Sequence, residues 1–343
     1  MATQHKAVAL ISGGLDSMLA VRVMQEQGIE VEGINFFTGF CVEGHTHAIR
    51  KRNNALWVAE QLGIKLHIVD VIDEYKDVLL NPKHGYGANM NPCLDCKIFM
   101  VGKAVDWVRQ HHKEGFDFII TGEVIGQRPM SQRKRTMPII SQESGADDIL
   151  LRPLCAKNLP VTRPEREGWV DREKLYDFHG RNRKPQIALA RQFGLDDFAT
   201  PAGGCCFLTD KSYSDKLVDL WQARNSRDYE MDDIMLLKVG RHIRPAPEFK
   251  LIIARDAGES KFLEGYRKQF TSIHALSHSG PMALVDGDIK EEQYPLAAAI
   301  VARFGKGRSA DEVELDIAVP DKHTLHLTTP PLAAEQVLEE WYV

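Results

Sequence analysis

Hydrophobic positions in the first 150 residues follow two spacings in turn. Short apolar runs such as Ala7 to Ile11 are typical of buried strands, and apolar residues that recur every three or four positions, as from Met18 to Gln27, are typical of helices. The pattern predicts strands over residues 7–11, 30–36, 65–71, 116–121 and 149–151, and helices over residues 18–27, 46–62, 95–111 and 131–143. Because strands that alternate with helices pair in parallel, we expect an α/β fold with a doubly wound parallel sheet that binds ligands at the carboxyl ends of its strands.

The pattern changes in the second half of the chain. Residues 153–210 are rich in Pro, Gly and Arg, with helix-like pieces only at 171–178 and 184–193. From Tyr213 onward, helices at 213–224, 259–268, 291–304 and from 332 mix with apolar runs at 234–239 and 249–254 and with strands near 272, near 282, at 313–319 and at 324–327. We therefore predict a first domain over residues 1–210 and a second, smaller α+β domain over residues 211–343.

A glycine-rich turn separates the first strand from the first helix. It reads Ser12, Gly13, Gly14, Leu15, Asp16 and Ser17. The glycines permit close approach of a ligand, and the unpaired N–H groups and positive dipole at a helix start favour phosphate. The carboxylate of Asp16 would repel phosphate unless a cation lies between them, so we assign it, as a hypothesis, to Mg²⁺ or its water shell. A capped helix start without a ligand is the alternative.

Four cysteines lie in two clusters. Cys93 and Cys96 have C-x-x-C spacing at the start of a predicted helix, and Cys205 and Cys206 are adjacent in a Gly-Gly turn. Three thiolates, from Cys93, Cys96 and Cys205, could hold three irons of a 4Fe-4S cluster and leave the fourth iron open to sulfide. Cys206 fits the same turn and stays open as the third ligand in place of Cys205. A zinc ion bound by all four, a persulfide relay between two thiols, and buried inert thiols remain open as alternatives.

Composition and charge narrow the class of protein. The chain has 343 residues and a formal net charge of −5, which argues against a generally basic nucleic-acid coat. Residues 152–191 nevertheless hold ten Lys or Arg against five Asp or Glu, which suits a polyanion bound at one face, although a solvated face with scattered ion pairs is the alternative. Four more cations precede that segment: Arg128, Arg133, Lys134 and Arg135.

Targeting and redox signals are also informative. No apolar run approaches the length of a membrane span and no signal-peptide pattern is present, so we expect a cytoplasmic protein with no membrane partner. The clustered cysteines do not form an evenly spaced disulfide framework, which in a reducing compartment favours metal or redox chemistry. Cys41 and Cys155 stand alone and are expected to be inert.

Several motifs resemble one enzyme family. Residues 12–17 resemble the SGG-x-DS signature of the PP-loop ATPases, which cleave ATP between its α and β phosphates and adenylate a substrate oxygen. Residues 121–132 resemble the TGE-x-x-GQ and SQ elements of the tRNA 4-thiouridine synthetase family, residues 96–100 are similar to its Cys-Arg-Arg-Phe-Met stretch, and residues 205–206 to its Asp-Cys-Cys turn.

The resemblance implies an activity and a site. The activity is that of an ATP-dependent tRNA sulfurtransferase that adenylates a base and releases pyrophosphate and AMP. Uridine is the first candidate for that base. The implied cofactors are ATP, Mg²⁺ and a 4Fe-4S cluster, with a cysteine persulfide as the other sulfur carrier. The implied catalytic residues are Asp16, Cys93, Cys96, Cys205 and Cys206. The implied nucleotide contacts, besides residues 12–17, are Gly122, Glu123 and Gln127.

The second domain resembles the RNA-binding domain of NFACT-type ribosome quality-control proteins, over residues 237–242, 249–255 and 259–263. Four side chains are candidates for contacts with phosphates or unpaired bases: Arg241, His242, Arg244 and Arg255. The sequence shows neither the THUMP domain nor the rhodanese domain that family members carry, and we expect the second domain to replace the former in binding RNA.

The expected partners are tRNA and a sulfur donor, either a cysteine desulfurase or sulfide; the oligomeric state stays open, with a homodimer as one candidate. Two other functions compete with thiolation. One is PP-loop adenylation of a different acceptor, such as an acid that is then amidated, which needs no clustered thiols. The other is an RNA-binding quality-control factor in which ATP is only structural.

Overall fold

A computed structural model describes residues 5–41, 54–198, 206–322 and 324–343. The chain divides into two units, of which unit 1 ends at Thr209 and unit 2 begins at Asp210. Among the described helices, none combines the length and the apolar character that a membrane crossing needs.

Unit 1 is built on a five-stranded parallel sheet. Its strands are β1 (Lys6–Leu10), β2 (Glu30–Phe37), β3 (Leu66–Asp70), β4 (Phe116–Thr121) and β5 (Leu150–Leu151). Its helices are α1 (Leu15–Gln25), α2 (Asn54–Leu62), α3 (Ile72–Leu80), α4 (Cys93–Gln110), α5 (Thr136–Glu143), α6 (Arg163–Arg166) and α7 (Lys184–Gln192). The strand order is β3-β2-β1-β4-β5 and every pairing is parallel, which confirms the predicted doubly wound α/β fold.

The sheet has a buried core on each face. Ala7 and Ala9 of β1 lie in one core with Leu19 of α1, and Val8 lies in the other with Val101 of α4. Burial on both faces explains why the strands read as apolar runs without alternation. The strand order reverses between β1 and β4, so the carboxyl ends of these two strands flank the crevice in which folds of this type bind ligands.

Two helix predictions in unit 1, and one helix that was not predicted, need comment. The helix predicted over 171–178 is wrong, because Asp171 accepts a hydrogen bond from the backbone N–H of Glu173 and the chain forms only a single 3₁₀ turn, Arg172–Lys174. Helix α3 was not predicted; it buries only Tyr75 and Leu79 and therefore has a weak apolar pattern. Of the helix predicted over 46–62, residues 46–53 lie outside the described residues.

Unit 2 is built on a six-stranded antiparallel sheet. Its strands are β6 (Arg241–Ala246), β7 (Phe249–Ile253), β8 (Thr271–Ala275), β9 (Ala283–Gly287), β10 (Val313–Ala318) and β11 (Thr324–Thr329), in the order β11-β10-β8-β9-β7-β6. Its helices are α8 (Lys211–Arg224), α9 (Met231–Leu236), α10 (Ala257–Glu264) and α11 (Tyr294–Arg303). The apolar face of α11, with Ile300 and Val301, packs in one core with Leu251 and Leu315 of the sheet. The predicted α+β class is confirmed.

Two parts of unit 2 differ from prediction. The helix predicted from Leu332 is wrong: the end of the chain forms two 3₁₀ turns, and Tyr342 pairs with Ile243 in a β-bridge. Strand β6 was not predicted as a strand, because its Arg and Pro residues obscure the apolar positions.

A buried lysine lies between α8 and the turn before β6. Lys216 is 8% exposed, and its Nζ donates to the carbonyls of Leu237 and Gly240 at 3.5 and 3.3 Å. Burial lowers the pKa of Lys216 to about 8, helped by the charges of Arg255 and Lys250. The protonated form of this side chain is therefore costly in the folded protein.

This lysine predicts a pH dependence of stability. Because the folded pKa of about 8 lies below the ordinary 10.5, the unfolded state binds more protons between these values, and the free energy of unfolding should rise with pH there. Lys216→Met lacks this titrating group. As the pH rises from about 8 to 10.5, we expect the free energy of unfolding of wild type to increase by about 3 kcal/mol relative to that of Lys216→Met. Denaturant titrations at a series of pH values measure this shift, with the exposed Lys113→Met as control. An unchanged difference between Lys216→Met and wild type would contradict it.

Candidate functional site

The turn after β1 forms an open cradle at the start of α1. Gly13 has φ +74°, which favours glycine, and Gly14 precedes the first residue of the helix. A Cβ on Gly14 would meet only Ser12 Oγ, at the ordinary distance of 3.6 Å. The fold itself therefore does not require glycine at position 14, and its absent side chain leaves space in front of the helix amides. The Ser17 hydroxyl donates to the Gly14 carbonyl at 2.7 Å and so holds the turn.

Gly122 brings the end of β4 against this turn. A Cβ on Gly122 would lie 2.3 Å from the carbonyl carbon of Asp16 and 2.4 Å from the nitrogen of Ser17. Since no Cβ fits at such distances, only glycine allows this packing of two backbones. The carboxyl ends of β1 and β4 thus meet at one point, as the sequence predicts for residues 12–17 and 122.

Asp16 is held by side chains from two distant segments. Its carboxylate accepts hydrogen bonds from Gln127 Nε2 at 2.6 Å and from Arg183 Nη2 at 3.2 Å. Gln186, fully buried on α7, donates in turn to Gln127 Oε1 at 2.9 Å. Burial raises the pKa of Asp16, while the charges of Arg183 and Arg128 and the Gln127 hydrogen bond offset part of the rise. The predicted residues Asp16 and Gln127 are in contact, and Arg183 and Gln186 were not anticipated.

Glu123 lies behind the turn. It is 2% exposed, and its Oε2 accepts from the Thr121 hydroxyl at 2.9 Å and from Arg152 Nε at 3.0 Å. Burial opposes ionisation, but the charges of Lys97 and Arg152 outweigh it and lower the pKa of Glu123. This buried ion pair supports the loop at 121–127. The nucleotide contact expected of Glu123 stays a prediction. The Lys97 charge also places the residue after Cys96 close to this loop.

Three cysteines surround one buried tyrosine. Tyr75 is 1% exposed, and burial raises the pKa of its hydroxyl well above the usual value. Nearby cysteine sulfurs raise it further: Cys96, which is also hydrogen-bonded to Tyr75, Cys206 and Cys93. The C-x-x-C pair and Cys206 therefore lie in the same region of unit 1, near Tyr75.

The other cysteines differ in their surroundings. Cys93 Sγ donates to Asn91 Oδ1 at 3.4 Å. Cys41, predicted to be inert, faces Cys206 across an isolated antiparallel bridge. Cys155 is fully buried and donates to the Glu123 carbonyl, and burial raises its pKa to about 12, as expected of an inert thiol. Cys205 and the turn before it lie outside the described residues.

No group of three or more His, Cys, Asp or Glu side chains within the described ranges is arranged to hold a metal ion. Thiols are ligands of iron and zinc, and Cys93, Cys96 and Cys206 all lie near enough to Tyr75 to act on its pKa. A fourth thiol, Cys205, belongs to a segment on which the geometry gives no information. The cluster and its ligand set Cys93, Cys96 and Cys205 therefore stay a prediction.

Four cations lie on the loop and turn that follow β4. All four are exposed, and none forms an ion pair with another residue in the described part of the chain: Arg128, Arg133, Lys134 and Arg135. Exposed cations that form no ion pair with a described residue are available to a polyanion.

The candidate RNA contacts of unit 2 divide into two groups. Arg241 is exposed and its guanidinium lies over the ring of Phe304, 5.3 Å from the centroid. Arg244 instead pairs with Asp219 through two hydrogen bonds. Arg255 pairs with Glu259. His242 is 1% exposed, so its predicted contact with RNA is wrong; burial lowers its pKa well below the usual value and keeps the ring neutral.

Two protein-family models match the chain, one within unit 1 and the other within unit 2. Residues 5–146 match the model described as the tRNA methyl transferase HUP domain. Residues 240–342 match the NFACT protein RNA binding domain. The HUP domain match covers the turn at residues 12–17, the C-x-x-C pair and the loop after β4. The resemblance found in the sequence is confirmed for both units.

Similar proteins carry names that refer to tRNA thiolation. A probable tRNA sulfurtransferase of Thermococcus kodakarensis is 32% identical over 152 residues, which is 44% of this chain and 37% of that protein. The tRNA-specific 2-thiouridylase MnmA of Pelobacter propionicus is 32% identical over 123 residues, 34% of this chain and 33% of that protein. The chain therefore spans about a third of the length of these curated relatives.

The chain is also similar to solved structures, of which one is named as a tRNA thiolase. U34-tRNA thiolase NcsA from Methanococcus maripaludis, with its 4Fe-4S cluster, is 19% identical. The alignment covers 68% of this chain and 71% of that chain, with a TM-score of 0.32.

Proposed function

We propose that this protein is an ATP-dependent tRNA sulfurtransferase that thiolates a base, with uridine as the first candidate. The observation that supports the proposal is the packing of Gly122 on the backbone of Asp16, in the turn at residues 12–17. The residue after Gly122, Glu123, has its pKa lowered by the charge of Lys97, which follows Cys96 in the sequence. A nucleotide bound at the turn and sulfur held at the thiols would thus lie in one region.

The first step uses the turn and its neighbours. The backbone N–H groups at residues 13–17 would bind the phosphates of ATP and stabilise the charge that grows as a base carbonyl oxygen attacks the α phosphate. Pyrophosphate leaves and the base becomes adenylated. Asp16 would hold Mg²⁺ through its water shell, which requires Arg183 to turn from the carboxylate toward the phosphates.

The second step uses the thiols. Sulfur attacks the activated carbon of the base and AMP leaves. The sulfur carrier would be either a persulfide on Cys205 or Cys206 or sulfide itself. The persulfide would receive its outer sulfur from a cysteine desulfurase, and a second thiol would resolve it to a disulfide that a dithiol reductant reopens. For sulfide, Cys93, Cys96 and a thiol of the 205–206 turn would hold a 4Fe-4S cluster, which would supply an open iron for sulfide. The start of α4 favours the thiolate that both carriers need, because it lies at the positive end of the helix dipole.

The exposed cations after β4 would position the RNA. Replacing Arg133, Lys134 and Arg135 together by Ala should weaken tRNA binding and lower the magnitude of its log–log salt slope by about 2 to 3, since each contact with a phosphate releases a counterion. Fluorescence anisotropy at several salt concentrations measures both. Ala replacements at Lys65, Arg109 and Lys113 are the control and remove three positive charges as well. Lys65 directly precedes β3, and Arg109, in the last turn of α4, and Lys113 precede β4, so the charges are removed at the opposite edge of the sheet. An equal loss in that control would contradict the assigned face.

The proposal is tested with purified protein under anaerobic conditions. Unmodified tRNA and ATP are supplied with labelled sulfide in one series, and with a cysteine desulfurase, labelled cysteine and a dithiol reductant in a second series, and sulfur in RNA and free pyrophosphate are measured. Thiolation predicts that both depend on ATP and on tRNA. Pyrophosphate release without sulfur in the RNA would indicate a different acceptor. Iron analysis of the same samples distinguishes the two sulfur carriers.

A further inference from the structure

Cys41 and Cys206 occupy opposed positions in unit 1. They form an isolated antiparallel bridge, and beside them the backbone N–H of Phe207 donates to the Phe40 carbonyl at 2.9 Å. Opposed residues of an antiparallel pair have Cα atoms about 4.5 to 5.5 Å apart and side chains on one face. A disulfide spans Cα distances of about 4.4 to 6.8 Å, so this pair needs no large backbone movement to close one.

The surroundings favour reaction at this pair. Both residues are partly exposed, and the structure shows both as thiols. Cys206 also lies near the Tyr75 hydroxyl, together with Cys93 and Cys96, so it belongs to the sulfur site. Cys155, in contrast, is fully buried. Along the sequence it is more than 50 residues from the nearest other described cysteine.

We propose that Cys41 is the redox partner of Cys206 and that a reversible Cys41–Cys206 disulfide withdraws Cys206 from the sulfur site. The inhibitory consequence rests on the proposed function, whereas formation of the bond does not. The two positions come from segments 165 residues apart, so only the fold brings them together.

The oxidant is a small disulfide such as oxidised glutathione. The Cys206 thiolate attacks one sulfur of that disulfide and releases one glutathione thiolate, which gives a mixed disulfide. The Cys41 thiolate then attacks the Cys206 sulfur and displaces the second glutathione thiolate. Two protein thiols are oxidised, one glutathione disulfide is reduced to two glutathiones, and a dithiol reductant reverses the reaction.

The bond is tested by peptide mapping. Reduced, metal-free protein is equilibrated with oxidised glutathione, alkylated, digested without reductant and analysed by mass spectrometry. We expect a peptide that links Cys41 to Cys206, its loss in Cys41→Ser, and its persistence in Cys155→Ser. Linkage of Cys206 mainly to Cys205, Cys93 or Cys96, or only glutathionylated Cys206, would overturn the proposal.

A second readout covers the consequence. Oxidised wild type should lose ATP-dependent sulfur incorporation and regain it with a dithiol, whereas Cys41→Ser should stay active after the same treatment. If the linked peptide forms and reduced protein incorporates no sulfur, the proposed function fails and the redox pairing stands. If reduced protein is active and the Cys41–Cys206 link is absent, the pairing fails and the function stands.

Discussion

Cys93→Ala should abolish ATP-dependent sulfur incorporation into tRNA, with a loss on the order of 10³ or more. Cys93 begins α4, where the helix dipole favours a thiolate, and it lies in the cysteine group around Tyr75. Removing it deprives either sulfur carrier of one thiol, while the phosphate turn at residues 12–17 is left intact. Sulfur in the RNA should therefore disappear, and ATP binding should remain.

The matched control is Cys155→Ala. It removes one thiol from the same unit, yet Cys155 is buried, its pKa is raised to about 12, and it donates only to a backbone carbonyl. We expect this variant to keep its sulfur transfer. Full activity of Cys93→Ala, measured as labelled sulfur in RNA, would exclude the thiol at the start of α4 from the mechanism.

Gly14→Ala should weaken ATP binding by about 10² while the protein remains folded. The new Cβ would meet only Ser12 Oγ at 3.6 Å in the protein itself, so the fold accepts it. It would, however, fill the space before the α1 amides through which a phosphate must approach. Isothermal calorimetry with ATP and a thermal melt of the same sample separate the two effects.

Gly122→Ala provides the contrast. Its Cβ would lie 2.3 Å from the Asp16 backbone, so β4 and α1 must separate and the free energy of unfolding should fall by roughly 1 to 3 kcal/mol or more. Loss of ATP binding in this variant would accompany loss of stability. If Gly14→Ala binds ATP as wild type does, residues 12–17 are not a phosphate site.

Much of unit 1 could be predicted from the sequence because its central strands β1 and β4 are mostly buried and helices such as α1 and α4 have clear apolar stripes. β4 was predicted to the residue, and the turn between β1 and α1 was recognised by its glycines. The meeting of Gly122 with Asp16 follows from strand order alone, since parallel strands present their carboxyl ends at one edge.

Side-chain partners across long separations could not be predicted. Arg183 reaches Asp16 from 167 residues away, and Arg152 pairs with Glu123 although nothing local marks either arginine. Both arginines belong to residues 152–191, for which the sequence indicates only an excess of basic residues. Their cations are in part neutralised by these pairs, which leaves the exposed set after β4 as the stronger candidate for RNA.

Cys41 and His242 show the limits of reading residue types one at a time. Cys41 stood alone in the sequence, yet a bridge places it opposite Cys206. His242 stood in a basic stretch, yet strand β6 turns it into the core, where its Nε2 bonds the Val239 carbonyl at 3.0 Å. The position of Cys41 opposite Cys206 and the burial of His242 both depend on the tertiary fold, so neither could be predicted from residue type.

The most direct test of the central claim is nucleoside mass spectrometry of tRNA from cells with and without this protein. The account predicts that one thiolated nucleoside is absent without the protein, returns with the wild-type chain, and does not return with Cys93→Ala or Gly14→Ala. An unchanged set of thiolated nucleosides in cells that lack the protein would contradict it.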